Sequence, residues 1–298
     1  KGVMLTHGSI IANLKGALQF VNQLEEKNHR FLSIIPLSHA YEHTGGFFLP
    51  ILIGAQIYFN NNREQLINDI QFAKPTLIVA VPRLYDLLFK RISQNINTKG
   101  NLIRFLFNKT LQIGREKYFN KKIGFIGRVL DIILNLTIRN KIKKLFFNNL
   151  IAFISGGAAL NFNSGIFFSS LGIKILQGYG QTECSPIISV NPINQIKLET
   201  VGVPIFDHKV KLSKNGEILV KGPSVMKGYW KDKKSTYKTI KNGWLHTGDI
   251  GTIDNEKYIT IIGRVNEMIV NSGGENIAPV PIEESITSFD EIDQVMIY

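Results

Sequence analysis

The first 180 residues alternate short β-branched stretches with longer stretches of helical periodicity, and this alternation restricts the possible folds more than any other feature. A strand buried on both faces is a short apolar run, whereas a helix covering a sheet is apolar at every third or fourth position. The pattern therefore predicts an α/β fold with mostly parallel sheets flanked by helices. The predicted strands are residues 31–37, 55–59, 76–82, 151–155 and 173–177, and helices between them include 9–28, 63–73 and 83–96.

Residues 102–147 interrupt the alternation with two long basic, amphipathic segments and no strand, and we interpret them as a helical insertion. Apolar residues such as Ile126, Val129 and Ile133 recur there at steps of three or four. From position 83 to position 150 the chain has 15 Lys or Arg and three acids, which accounts for the whole net charge of +12. A local excess of this kind indicates an anionic partner surface.

Two explanations of this basic insertion stay open. A basic helix with an apolar stripe suits peripheral association with a membrane surface through residues 102–147, whereas a solvated basic face packed on the sheet needs no partner. Nucleic acid is not expected as a partner, because the residues between the cations are apolar and show no stacking-platform pattern.

From about residue 200 the pattern changes to short strands joined by tight turns, among which Asn215-Gly216 is a strong hairpin signal. We expect a small β subdomain from about 200 to 262, within a large N-terminal domain that spans residues 1–262. The Gly-Arg pair at 263–264 then begins a hinge and an incomplete small C-terminal domain over residues 263–298.

Composition favours a cytoplasmic protein. The sequence has no run of about 18 apolar residues of the kind that spans a membrane. Its single cysteine, Cys184, excludes an internal disulfide and a multi-cysteine metal site. With no histidine partner evident in the sequence, we interpret Cys184 as a packing residue and not as a nucleophile.

Two glycine-rich clusters follow predicted strands. "ISGGAAL" at 154–160 has only small residues after its strand, which lets a flat ligand approach the backbone, although an ordinary strand-to-helix turn has the same composition. "GYGQTECSP" at 178–186 presents the hydroxyls of Tyr179 and Thr182 beside the Glu183 carboxylate. This combination suits a phosphate with its Mg²⁺, since hard cations prefer oxygen ligands, and a capped helix start is the alternative.

Two further clusters lie in the last sixty residues. "NGWLHTGDIG" at 242–251 places Asp249 in a glycine-flanked turn, where a carboxylate can accept both hydroxyls of a ribose. Arg264 follows 15 residues later, after a hairpin that returns it towards the same pocket, and a guanidinium fits a phosphate. "IVNSGGENIAPVPIEE" at 269–284 combines a Gly273-Gly274 loop with a helix start; read alone, each cluster is also compatible with a surface turn or loop.

Together, in this order and spacing, the four clusters resemble the adenylate-forming superfamily of acyl-CoA synthetases, luciferases and peptide-synthetase adenylation domains. "KGVMLTHGSI" at the start looks like the end of the family's phosphate loop, and "GEILVKGPSVMKGYW" at 216–230 is similar to the hairpin before its ribose-binding Asp. "PLSHAYEH" at 36–43 and "GGENIAPVPIE" at 273–283 resemble the long-chain fatty-acyl group. The resemblance extends from the first residue to the last.

The resemblance implies a role for each matching residue. Gly157 and Ala158 would line the adenine, with Tyr179 and Gly180 beside it. The phosphates and the metal would be held by Lys1 of the phosphate loop, by Thr182 at the α-phosphate and by Glu183 at the Mg²⁺.

The remaining roles concern the ribose and the acyl group. Asp249 would bind the ribose and Arg264 the ribose or a phosphate, while His39 would lie beside the acyl carboxylate unless it is a core histidine. Rotation about the segment 264–266, where Asn266 replaces the family's usual Asp or Lys, would bring the Gly273-Gly274 loop in for the second half-reaction.

The implied function is a long-chain fatty acid–CoA ligase that uses ATP, Mg²⁺ and coenzyme A to convert a fatty acid first into an acyl-adenylate and then into acyl-CoA. The alternative is an adenylating enzyme that transfers the acyl group to another acceptor, such as a carrier protein. Because most of the phosphate loop would precede Lys1 and the family's catalytic lysine would follow Tyr298, we expect the printed chain to be inactive by itself.

Overall fold

The computed structural model describes residues 1–24, 26, 28–60, 62–270, 276–286, 292 and 294–297. Its strands are β1 (Val3–Met4), β2 (Arg30–Ser33), β3 (Gln56–Phe59), β4 (Leu77–Ala80), β5 (Ala152–Ser155), β6 (Lys174–Gly180), β7 (Ile187–Val190), β8 (Val203–Pro204), β9 (Lys209–Leu212), β10 (Glu217–Lys221), β11 (Gly228–Tyr229), β12 (Ile240–Lys241), β13 (Trp244–Ile253), β14 (Ile259–Arg264), β15 (Ile269–Val270) and β16 (Asn276–Ile277).

The α-helices are α1 (His7–Val21), α2 (Ala40–Glu42), α3 (Leu49–Leu52), α4 (Leu66–Ala73), α5 (Pro82–Asn97), α6 (Asn101–Tyr118), α7 (Phe125–Leu134), α8 (Asn140–Ile142), α9 (Phe162–Ser170), α10 (Lys233–Thr239) and α11 (Pro279–Ile286). Three π-helical segments, His43–Phe48, Asn135–Arg139 and Lys143–Phe147, join some of them, and short 3₁₀ turns lie at Arg63–Gln65 and Thr182–Cys184. None of the helices in the described ranges has the length and apolar character of a membrane span.

The chain divides into two compact units. One consists of Phe20–Gly178 and Pro192–Leu198, and we call it the parallel-sheet unit. The other consists of Lys1–Gln19, Tyr179–Asn191 and Glu199–Tyr298, and we call it the antiparallel unit. The predicted boundary between residues 262 and 263 stays a prediction.

The parallel-sheet unit confirms the predicted fold class. Its strands have the order β3-β2-β4-β5-β6, and every neighbouring pair is parallel. The strands are short, and an inner strand such as Leu77–Ala80 is buried on both faces, whereas β3 at the edge is partly exposed. Tyr85 from α5 packs edge-on against Phe153 of β5, with ring centroids 5.4 Å apart, in a core of aromatic and aliphatic side chains.

The helices of the basic insertion belong to this unit, and residues 101–147 contain no strand. α6 buries Phe107 and Ile113, and its Gly114 lies so close to Ser170 of α9 that a β-carbon there would overlap the serine. α7 is held by Asp131, which is buried and forms ion pairs with Lys117 and with Arg139.

The antiparallel unit contains the predicted β subdomain. Its main sheet has the order β12-β13-β10-β9, with β14 paired to β13. β9 and β10 form the hairpin that Asn215-Gly216 predicted. Of these two turn residues only Gly216 has a positive φ, of 78°. Strand β1 pairs with β11, so that Val3 lies opposite Tyr229. This unit carries most of the predicted site residues.

Candidate functional site

Three side chains converge at one edge of the antiparallel unit. Asp249 on β13 is the direct cross-strand partner of Arg264 on β14. Arg264 Nε donates to Asp249 Oδ1 at 3.0 Å, and the Tyr179 hydroxyl donates to Asp249 Oδ2 at 2.5 Å. The Asp249 side chain is only 7% exposed, whereas that of Arg264 is 61% exposed. Burial and the adjacent Asp249 carboxylate hold the pKa of Tyr179 far above its usual range, so this hydroxyl stays a donor.

The backbone around Asp249 is fixed by two polar side chains that the sequence did not single out. Gly248 adopts a positive φ of 75°, and its N–H donates to Glu217 Oε1 at 3.0 Å. The Asp249 N–H donates to Thr247 Oγ1 at 3.1 Å. A carboxylate has about four acceptor positions, so partners on each oxygen leave capacity for a pair of hydroxyls. Asp249 is thus a pre-positioned acceptor.

A second cluster surrounds the 3₁₀ turn Thr182–Cys184. Thr182 is exposed and Glu183 is half-buried. The Tyr229 hydroxyl donates to Glu183 Oε1 at 2.8 Å, and burial together with this carboxylate raises the pKa of Tyr229. The Lys1 ammonium lies 5.0 Å from the centroid of the Tyr229 ring and donates to Ser235 Oγ at 2.9 Å. Pairing of β1 with β11 therefore brings a cation near the carboxylate that was predicted to hold Mg²⁺.

This cluster combines a carboxylate with hydroxyl groups, and oxygen atoms of these kinds are the ligands that Mg²⁺ prefers. In the described part of the chain no group of three or more His, Cys, Asp or Glu is arranged to hold a metal ion. Mg²⁺ does not require such a cage, because it retains several waters and binds through one or two carboxylates plus substrate phosphates. Glu183 would supply the carboxylate when Mg·ATP binds.

Gly180 is required by the turn that follows β6. The Gln181 N–H donates to the Pro186 carbonyl at 3.0 Å, which closes the turn tightly. A β-carbon on residue 180 would overlap the same carbonyl oxygen. Any other residue here would push apart the two sides of the turn that carries Thr182 and Glu183.

Cys184 has a hydrogen-bonded neighbour that the sequence did not reveal. Its sulfur lies 3.2 Å from Ser224 Oγ, which also bonds to His208 Nε2. Burial raises the pKa of the Cys184 thiol to about 11 and lowers the pKa of His208. A buried thiol with such a pKa is a poor nucleophile, which supports its interpretation as a packing residue.

Three predicted residues, Gly157, Ala158 and His39, lie in the parallel-sheet unit. Gly157 and Ala158 are exposed directly after β5, and Gly157 has a positive φ of 83°. The ring of Tyr41 fills the space beside Gly156, and the Tyr41 hydroxyl donates to the Ile154 carbonyl at 2.9 Å. The small residues therefore leave the end of β5 accessible, with the Tyr41 ring packed beside it.

His39 precedes α2 and is exposed, so it is not a core histidine. Glu42, at the end of α2, is fully buried, and this burial raises the pKa of its carboxyl to about 7, with the Ser33 hydroxyl opposing the shift. Glu42 lies within the "PLSHAYEH" segment at 36–43, where the sequence predicted a role for His39 and none for Glu42. Gly273 and Gly274 lie outside the described residues, and their role in the second half-reaction stays a prediction.

Comparison with a protein family and with curated proteins finds similar sequences. The family model described as "AMP-binding enzyme" matches residues 1–230. "Long-chain-fatty-acid--CoA ligase FadD15" of Mycobacterium tuberculosis is 29% identical over 301 residues, which cover 100% of this chain and 50% of that protein. "Long-chain-fatty-acid--CoA ligase ACSBG2" of Homo sapiens is 30% identical and covers 95% and 44%. The chain spans about half the length of the curated relatives it matches.

Solved structures share the fold. The o-succinylbenzoate CoA synthetase MenE from Bacillus subtilis, in complex with its acyl-adenylate intermediate, matches with a TM-score of 0.73 and 23% identity over 99% of this chain and 52% of that one. ATP-bound MatB from Rhodopseudomonas palustris matches with a TM-score of 0.70 and 21% identity over 97% and 50%.

Proposed function

Because the chain belongs to the AMP-binding enzyme family, we propose that the intact protein is an ATP-dependent, AMP-forming ligase that activates a fatty acid and transfers it to coenzyme A. The observation that supports this most directly is the Asp249 carboxylate, whose oxygens are held by Tyr179 and Arg264. Such an acceptor suits the adjacent hydroxyls of a ribose and supports binding of the adenosine part of ATP.

In the first half-reaction the fatty-acid carboxylate attacks the α-phosphorus of ATP, and the bond to pyrophosphate breaks. Thr182 would donate its hydroxyl to the α-phosphate, and Arg264 would stabilise negative charge on the ribose or phosphate side. Glu183 would hold the Mg²⁺ that neutralises the phosphates, with the Lys1 ammonium close to the same cluster. The protein thus contributes mainly positioning and charge neutralisation.

In the second half-reaction the thiol of coenzyme A attacks the acyl carbonyl, and AMP leaves.

Three further roles are part of the proposal: Gly157 and Ala158 lie beside the adenine, and His39 lies beside the acyl carboxylate. The open strand end after β5 and the exposure of His39 are compatible with these roles.

A long-chain fatty acid is the proposed substrate because FadD15 and ACSBG2 carry that description and match almost the whole chain. MenE, which shares only the fold, acts on o-succinylbenzoate according to its description. The intact protein should therefore form acyl-adenylate with palmitate and not with o-succinylbenzoate.

We also propose that the protein is cytoplasmic and associates peripherally with membranes through residues 102–147.

The test is fatty-acid-dependent release of pyrophosphate from ATP by the intact protein, together with coenzyme A-dependent formation of the thioester. Asp249→Ala should reduce pyrophosphate release at least tenfold, because it removes a charged acceptor whose hydrogen bonds contribute roughly 1.5–3 kcal/mol. Glu256→Gln is the matched control, since it changes an exposed acid in the β13–β14 turn.

Equal rates for the wild type and Asp249→Ala would exclude the proposed nucleotide site. Adenylate formation without any thioester when coenzyme A is supplied would favour the alternative acceptor, a carrier-protein thiol.

A further inference from the structure

Helix α7 and the residues after it present an apolar face that no described part of the parallel-sheet unit covers. The outward residues recur at helical spacing, while Leu130, Leu134 and Ile138 face the core. We call the outward set the α7 stripe; all its members are exposed, and they are Phe125, Ile126, Val129, Ile132, Ile133 and Leu136. Single exposed apolar residues are ordinary, but six on one helical face mark an interaction surface.

The surface around the α7 stripe is positively charged. Residues 119–147 contain seven Lys and Arg and a single acid, Asp131. Asp131 is buried, and Lys117 and Arg139 already neutralise it, so it does not offset the surrounding cations. The cations that are exposed on the surface are Lys121, Lys122, Arg128, Lys141 and Lys144.

Both helices of the insertion leave apolar side chains exposed, but in α6 these lie only near its N-terminal end, within 102–105. The middle of α6 is committed to the core through Phe107, Ile113 and the close approach of Gly114 to α9. α7 uses its inner face for the core and leaves Phe125 and Ile126 81% and 83% exposed. A partner that covers the α7 stripe with apolar groups must therefore also lie next to exposed lysine and arginine side chains.

We propose that the α7 stripe inserts into the interfacial region of an anionic lipid bilayer, with the surrounding Lys and Arg on the headgroups. This inference rests on the peripheral association included in the proposed function, and it assigns the association to one helix face. Phenylalanine and aliphatic side chains on one face, with lysine and arginine on the flanks, are typical of helices that lie in the plane of a membrane surface. An apolar protein partner would leave the cations without complementary charge.

The first experiment measures co-sedimentation of the intact protein with vesicles of phosphatidylcholine alone or of an equimolar mixture of phosphatidylcholine and phosphatidylserine. We expect the wild type to bind the mixture and to lose affinity as salt is added. The double variant Phe125→Ser, Ile126→Ser should bind roughly tenfold or more weakly, because binding no longer transfers these two apolar side chains from water into the bilayer. Phe72→Ser is the matched control, since it removes an 80% exposed phenylalanine from the same unit, and it should bind like the wild type.

A second pair of variants reports insertion itself. Vesicles containing brominated lipid should quench the tryptophan emission of Ile132→Trp more than that of the wild type, which has only Trp230 and Trp244, whereas Phe72→Trp should show no added quenching. Replacing Lys121 and Lys122 by Gln should weaken binding to the anionic mixture roughly thirtyfold, since each surface cation strengthens membrane attraction roughly fivefold.

The outcomes separate the proposals. If the wild type does not bind either kind of vesicle, peripheral association is wrong while the ligase reaction is unaffected. If the wild type binds but the double variant binds equally well, the assignment to the α7 stripe is wrong. Concentration-dependent dimerisation that the double variant abolishes, without vesicle binding, would identify a second copy of the chain as the occupant and overturn the proposal.

Discussion

Asp249 and Arg264 are paired twice, as cross-strand neighbours in β13 and β14 and as an ion pair with Nε 3.0 Å from Oδ1. The Asp249 carboxylate is buried and the Arg264 guanidinium is largely exposed. An ion pair with one exposed partner contributes about 0–1 kcal/mol to stability, because water screens the charges. The pair therefore orients the guanidinium more than it stabilises the fold.

Arg264→Gln should accordingly separate activity from stability. We expect the free energy of unfolding to fall by about 1 kcal/mol or less. Pyrophosphate release should fall roughly tenfold or more, because the proposed charge-assisted contact of Arg264 to the nucleotide would be lost. Urea denaturation and pyrophosphate release measured on the same preparation test both statements. A large loss of stability with unchanged catalysis would show that the pair serves the fold instead.

Glu183 and its donor Tyr229 should respond differently to substitution. Glu183→Gln removes the negative charge that would hold Mg²⁺, so pyrophosphate release should fall by an order of magnitude or more at a given Mg²⁺ concentration. Tyr229→Phe keeps the Glu183 charge and removes one hydrogen bond to that carboxylate, which contributes roughly 1.5–3 kcal/mol to stability, so its loss of pyrophosphate release should be the smaller one. The measurement is pyrophosphate release against Mg²⁺ concentration; equal losses in both variants would argue against a metal role for Glu183.

Glu42 should make stability depend on pH. Burial raises its pKa from 4.5 to about 7, so the folded protein binds this proton more tightly than the unfolded chain does. The stabilisation from the proton on Glu42 is fully present below the pKa that this carboxyl has in the unfolded chain. The free energy of unfolding then falls as the pH rises towards about 7, by roughly 3 kcal/mol at most. Glu42→Gln should remove this dependence and be the more stable form near neutral pH. Urea denaturation across this pH range is the test, and parallel curves for both proteins would contradict it.

Cys184 should be slow to react in the folded protein. Burial raises its thiol pKa from 9.0 to about 11, and the reactive species is the thiolate. Alkylation by iodoacetamide near neutral pH should therefore be roughly a hundredfold or more slower than in urea-unfolded protein. Mass spectrometry of timed samples measures both rates, with Cys184→Ser as the unlabelled control. Similar rates before and after unfolding would mean that the thiol is accessible.

The sequence predicts the parallel-sheet unit well because its signals are local. Each of the five predicted strands overlaps a strand of the sheet, since short β-branched runs buried on both faces have few alternatives. The start of α1 was placed two residues late. The Thr6 N–H donates to Ser9 Oγ and the Ser9 N–H donates to Thr6 Oγ1, each at 3.0 Å, which is a reciprocal cap that begins the helix at His7.

The candidate site is less predictable, because it depends on contacts between distant segments. The hairpin was expected to return Arg264 towards Asp249, and their cross-strand pairing confirms this, since a hairpin is a local structure. The contact of Tyr229 with Glu183 joins residues 46 positions apart and follows only from tertiary packing. The same is true of Glu217, which is 31 positions from Gly248 and has the sequence context of a solvent-facing strand residue.

The pairing of β1 with β11 affects the order in which the protein can fold during synthesis. Most of the parallel-sheet unit is one continuous stretch, Phe20–Gly178, and the paired residues of its parallel strands all lie within that stretch. Val3 and Met4 must wait for Tyr229 and Gly228, which the ribosome adds more than two hundred residues later. Since domains fold as units while the chain emerges, the parallel-sheet unit can complete most of its fold first. Strand β1 thus precedes the parallel-sheet unit in the chain but can pair only after that unit has been made.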